Sequence, residues 1–193
     1  MATLISGSTG VNKITDGTIV DADVANIAVS KLTGALPAIS GASLTGLTAA
    51  QMPNGTVVQV LQGQNHVAIS TTVMNTWFNV TSQAITPQSS SNKVLCTAVV
   101  MGIQAGTVYT NARVDIGLYR GSTQIHQSLA NRWIYSNLDL RDGGFSIQWL
   151  DSPSTTSATT YYLKARWNDG STCNINKDSN SGYSTLTLQE VRA

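Results

Sequence analysis

The chain has 193 residues, a formal charge of +1 and only 11% charged side chains, against about 25% in ordinary soluble domains, a size that suits one core-bearing domain with an appendage. Lys and Arg are scattered singly from Lys13 to Arg192, which excludes a basic stripe able to neutralise a run of phosphates, so nucleic acid is not an expected partner. No run approaches the ~20 apolar residues of a spanning helix, and Met1 to Gly10 lacks the charged start and apolar stretch of a secretory signal, so neither membrane insertion nor signal-directed export is expected.

The 4 Trp, 6 Tyr and 2 Phe all lie at or beyond Trp77. Residues 1–51 are built from Ala, Gly, Ser, Thr and small aliphatics. A single copy of that segment has little large apolar surface to set against the entropy of ordering it, and should need partners to become ordered. Within Lys13 to Val29, Asp21 or Asp23 is placed to cap a short helix running through Ala28 or Leu32. Leu32-Thr33-Gly34 then recurs as Leu44-Thr45-Gly46. Small residues at that repeat let backbones approach closely, as copies packed around an axis require; a flexible linker is the alternative.

From Asn54-Gly55 onward, apolar and polar residues alternate between Gly, Asn and Ser turns, the pattern of half-buried strands. Strands are predicted at Thr56 to Gln62, at Asn75 to Val80, and in a run ending at Ile85-Thr86-Pro87. The loop Gln88 to Asn92 leads into Lys93 to Ile103, the most apolar strand and therefore a central one. Thr107 to Tyr119 sets Val108, Thr110, Ala112, Val114, Ile116 and Leu118 against Tyr109, Asn111, Arg113, Asp115 and Gly117. Arg120-Gly121-Ser122 turns into Thr123 to Ser128; Asn131 to Ser136 and Phe145 to Leu150 follow around a turn at Arg141 to Gly144. After a Ser/Thr loop come Thr160 to Trp167, Thr172 to Asn176 and Tyr183 to Val191, with Asp169-Gly170 as a hairpin signal between the first two. Short strands at roughly 8 to 12 residue spacing, with no sustained helical period, predict a mainly β fold: an antiparallel jelly roll or β-sandwich over residues 52–193.

Chemistry-bearing patterns are sparse. Glu190 is the sole glutamate among the 10 acidic residues, and most aspartates (Asp16, Asp142, Asp151, Asp169, Asp178) sit where turns and caps use them. Asp115 and Asp139 are the least turn-like, and nothing in the sequence sets them together as the paired carboxylates of a glycosidase. His66 and His126 stand without a second ligand at metal spacing. No Gly-x-Ser-x-Gly elbow and no phosphate-binding glycine loop occurs. Cys96 and Cys173 lie in strand-like runs, read as buried reduced thiols, with a cross-strand disulfide as the alternative. No catalytic residue, metal site or cofactor is therefore expected. Trp133, Trp149 and Trp167 are expected inside, while Tyr161, Tyr162 and Tyr183 are candidate ligand-facing aromatics able to stack on sugar rings.

The stretch I-T-D-G-T-I-V-D-A-D-V-A-N-I-A-V-S-K-L-T-G-A-L-P-A-I-S-G-A-S-L-T-G-L resembles the segment that begins or connects many tailed-bacteriophage fibre and virion-surface proteins. The words I-T-P-Q-S-S-S-N-K-V-L, G-L-Y-R-G-S-T-Q-I, L-D-S-P-S-T-T-S-A-T-T-Y-Y-L-K-A-R and S-T-L-T-L-Q-E-V resemble the β knob of phage tail-fibre-like proteins. The resemblance implies a homotrimeric virion protein made in the bacterial cytoplasm, with an N-terminal attachment segment (1–51) and an outward C-terminal knob (52–193). In such a trimer Ile14, Ile19, Val24, Ile27, Leu32, Leu36, Ile39, Leu44 and Leu47 would face the common axis. The chain has no long repetitive shaft, which favours a short fibre or a capsid decoration (cement) knob. Expected partners are other copies of the chain, tail or capsid proteins, and a host-surface glycan.

Overall fold

The computed structural model describes residues 48, 51–105, 114–128, 143–168, 172–176 and 183–193. These belong to one unit, Gly46–Ala193; the attachment-segment residues Ile14 to Leu47, the short helix, the strand at 131–136, Trp133 and Asp139 lie outside them.

Alternation writes the strands directly. In β8 (Thr159–Trp167), Tyr161, Leu163, Ala165 and Trp167 are buried while Tyr162, Lys164 and Arg166 are half-buried. β10 (Ser184–Val191) buries Ser184, Leu186, Leu188 and Glu190 in the same two-residue rhythm, because successive side chains of a strand point to opposite faces. The remaining strands are β1 (Val57–Asn65), β2 (Ile69–Thr71), β3 (Trp77–Ile85), β4 (Lys93–Ala105), β5 (Val114–Arg120), β6 (Thr123–Ser128), β7 (Gly143–Asp151) and β9 (Cys173–Ile175).

Two antiparallel sheets result. The larger runs β1-β10-β4, with β7 on the far side of β4, and the smaller runs β3-β8-β5-β6. Apart from the short β2 and β9 and the β5-β6 hairpin, the chain alternates between sheets in the order that two Greek keys produce, which makes the domain a jelly roll. β3 packs beneath β1 and β10, and β7 meets β5 and β6. β4 is central, as its apolar run predicts: Val94 to Ile103 pair with β7, and Gln104 and Ala105 pair with β9. Gly102 lies at φ 59° inside the bulge where β4 exchanges one neighbour for the other, a left-handed position that glycine takes without steric cost. β2 completes this sheet beyond β9.

The structure corrects several expectations. The run from Trp77 to Ile85 is one strand with a bulge at Asn79/Thr81, not two. Asp169-Gly170 lies outside the described residues, and the strands that flank it do not form the expected hairpin: β8 pairs with β3 and β5 while β9 pairs with β2 and β4 in the other sheet. β5 is buried on both faces: Val114, Ile116 and Leu118 enter the core, and Asp115, Gly117 and Tyr119 are covered on the outside by neighbouring side chains.

Trp167 and Tyr161 are fully buried among Ile116, Leu118, Leu163, Leu186 and Leu188. Cys96 and Cys173 are buried free thiols. Burial pushes both up to about 12. Below about pH 9 both folded and unfolded chains keep these protons. Above it only the unfolded chain releases them, so the domain should lose stability as pH rises from about 9 toward 12. Denaturant midpoints measured between pH 8 and 11 on wild type and a Cys96→Ala/Cys173→Ala variant check this, the variant showing the flatter profile.

Candidate functional site: an aromatic and cationic sheet face

The outer face of the β3-β8-β5-β6 sheet gathers most of the recognition chemistry among the described residues. Register places Trp77 and Asp115 on either side of Arg166, Asn79 and Gly117 beside Lys164, and Ser82 and Tyr119 beside Tyr162. Asp115 is fully buried, and its Oδ2 accepts from Arg166 Nε at 3.1 Å, Arg166 Nη2 at 2.6 Å and Asn168 Nδ2 at 2.6 Å. Thus oriented, the Arg166 guanidinium lies 4.9 Å from the Trp77 ring centre. The Lys164 ammonium stands 4.4 Å from the Tyr119 ring centre and 5.3 Å from that of Tyr162, within the reach of cation–π attraction.

The rings are seated rather than loose. Trp77 and Tyr119 meet edge to face at 5.6 Å. A Cβ on Gly117 would come within 3.0 Å of Tyr119 and 3.1 Å of Trp77, so the missing side chain is what lets both rings lie down on β5. Tyr119 Oη donates to Gln124 Oε1 at 2.8 Å, and Gln124 Nε2 donates to Gln127 Oε1 at 2.8 Å. Burial pushes the Tyr119 phenol above its ordinary range, partly offset by Arg166. Upstream, Asn75 at φ 58° donates its amide to the Trp167 carbonyl at 2.6 Å and so aims the strand start.

The three tyrosines singled out by sequence separate. Tyr162 sits on this face. Tyr161 points the other way, is fully buried, and donates to Asp151 Oδ2 at 2.7 Å; as a ligand-facing residue it is corrected, because adjacent strand positions cannot share a face. Burial, and then the bond to Asp151, push its phenol upward. Tyr183 is 54% exposed but stands at the start of the other sheet's β10, edge-on to His66 at 5.5 Å. Exposed Val67, Val73 and Met74 flank β2. Trp149, expected inside, is 41% exposed: it stands opposite Cys96 on β7, which among the described residues pairs with β4 alone, and stacks flat on His126 of β6, ring centres 4.5 Å apart and 7° from parallel.

Sequence reasoning missed Trp77, Tyr119, Lys164 and Arg166. The spacing of Tyr162, Lys164 and Arg166 in β8 was a usable signal, since i, i+2 and i+4 share a face; Trp77 and Tyr119 join them only through register.

The buried carboxylates are occupied structurally. Asp151 Oδ2 accepts from Arg120 Nη1 at 2.7 Å as well as from Tyr161. Glu190 Oε1 accepts from the Gln88 amide at 2.8 Å and Asn92 Nδ2 at 2.6 Å, and Oε2 from Gln59 Nε2 at 2.5 Å. Among the described residues no three His, Cys, Asp or Glu side chains gather as a metal site.

No family model matches the sequence, and no curated protein does. Solved structures similar to it include particles of the VP2 protein of infectious bursal disease virus and T=1 particles derived from infectious bursal virus. T=1 particles of a mutant VP2 are 12% identical over 70% of this chain, with TM-score 0.40. A VP2 subviral particle is 10% identical over 72%, at 0.36, and a further T=1 particle is 12% identical over 82%, at 0.40. The chain spans 36%, 39% and 41% of the length of those proteins.

Proposed function

We propose that this chain is a non-enzymatic structural protein of a tailed-bacteriophage virion, a homotrimer docked to the particle by residues 1–51 and presenting the jelly roll outward. The observation that carries the reading is the division of the chain. All the aromatics lie at or beyond Trp77, and the described core is assembled from β1 onward. The aliphatic and small residues before it carry no aromatic anchor of their own, and sharing them between copies would supply the apolar burial that one copy lacks. The structural engagement of Asp115, Asp151 and Glu190 supports a role without acid–base chemistry, since each carboxylate is committed to holding a neighbour. The resemblance of the 14–47 stretch to fibre and virion-surface attachment segments supplies the particle.

Light scattering and particle assembly test this together. The full chain should run as a trimer and join particles, whereas residues 52–193 should stay folded, lose trimerisation and be left out. A truncated chain that still incorporates refutes the division of labour. Cryo-electron microscopy of loaded particles then separates a tail position, the short fibre, from a head-lattice position, the cement protein.

A further inference from the structure

We propose that the outer face of the β3-β8-β5-β6 sheet binds an acidic saccharide, Lys164 taking the sugar carboxylate while Tyr162 and Trp77 stack on the ring faces. The proposal goes beyond the structural role above and does not depend on it.

The charge balance of the face sets the sign of the ligand. Arg166 is matched by Asp115 through two donors on one oxygen. Lys164, two residues earlier, has aromatic faces for neighbours and no carboxylate partner among the described residues. Lys164 is a half-buried residue whose ammonium is held over two rings. Among the described residues no anion answers it, and a charge-assisted bond beside the ring faces is stronger than one in bulk water.

The rest of the face selects a sugar over a bare anion. Asn79 and Ser82 are exposed and stand across the ladder from Lys164 and Tyr162, and exposed Gln124 lies beyond Tyr119. Amides and hydroxyls set among ring faces match the mixed polar and C–H surface of a pyranose. The platform is also preorganised: Gly117 seats Trp77 and Tyr119, and the Gln124–Gln127 pair holds the Tyr119 hydroxyl. Ordering cost on binding is correspondingly small. An outer sheet face suits successive units of a polymer better than one deeply enclosed residue.

The test uses the full chain with four probes followed by calorimetry and saturation-transfer NMR: trigalacturonate, its methyl ester, α2,8-linked trisialic acid and sodium sulfate. At least one of the two acids should bind. The methyl ester should bind about tenfold more weakly than trigalacturonate, the loss expected for one charge-assisted contact. K164M and Y162A should each weaken the bound acid about tenfold with an unchanged melting temperature, Y162F should restore stacking, and added salt should weaken binding. Absence of binding by both acids, an ester equal to a trigalacturonate that binds, K164M equal to wild type, or sulfate binding as tightly as the sugar would each overturn the proposal. The ester comparison is made on the wild-type protein, so it stands even where a variant folds poorly. These outcomes are independent of trimerisation and of particle incorporation.

Discussion

Glu190→Ala should cost the domain about 3 kcal/mol or more, read from urea unfolding, because it strands several donors at once. A buried donor left without its acceptor costs about 1–3 kcal/mol, and here the buried Asn92 side chain is joined by the part-buried Gln88 backbone amide and Gln59 side-chain amide on one carboxylate. Asn92 is 3% exposed and Glu190 fully buried, so water has little access to replace the lost acceptor. The carboxylate faces inward at the end of β10 and ties down the connection from β3 to β4 and the start of β1. Glu190→Gln should fall between, since one oxygen survives while the new amide nitrogen points a donor at a donor. A Glu190→Ala variant within 1 kcal/mol of wild type would mean that these bonds contribute no net stability.

Gly63→Ala should be nearly as damaging despite adding a single methyl group. A Cβ at Gly63 would lie 2.3 Å from the Ser82 carbonyl oxygen and 3.0 Å from its carbon. Both are backbone atoms of β3 in the opposing sheet, so no side-chain rotation relieves the clash and the sheets must part. Overpacking of this kind costs about 1–3 kcal/mol, and a backbone contact belongs at the upper end. For a domain of this size that lowers the melting temperature by roughly 6–12 °C. Gly63→Val should exceed it. An alanine variant that melts with wild type would show that β1 and β3 can separate freely at this point.

Both positions show where reading the chain succeeds and where it stops. The apolar run Lys93 to Ile103 is legible as a central strand, and β4 does lie between β10 and β7. Arg120-Gly121-Ser122 is legible as the turn joining β5 to β6. The hairpin signal Asp169-Gly170 does not pair β8 with β9, because turn chemistry is local, whereas which strands pair depends on contacts far away in sequence. Glu190 reads as one lone carboxylate, and its three donors come from residues 59, 88 and 92.

The candidate site follows the same division. Alternation in Thr159–Trp167 already separates Tyr162, Lys164 and Arg166 from the core-facing Tyr161, Leu163, Ala165 and Trp167. Counting aromatics without that period is what grouped Tyr161 with Tyr162. Nothing local predicts that Trp77 and Tyr119 complete the face, or that an exposed Trp149 stacks on His126.

The sequence by itself determined the fold class, most strand positions, the central strand and the burial of both cysteines, because these follow from two-residue periodicity and turn residues acting over a few positions. Only the tertiary structure decided the jelly-roll pairing, the close approach at Gly63, the shared acceptor at Glu190 and the ring-and-cation face around Lys164. Each of these depends on which distant strands lie side by side and in what register, a choice settled by packing the whole core at once.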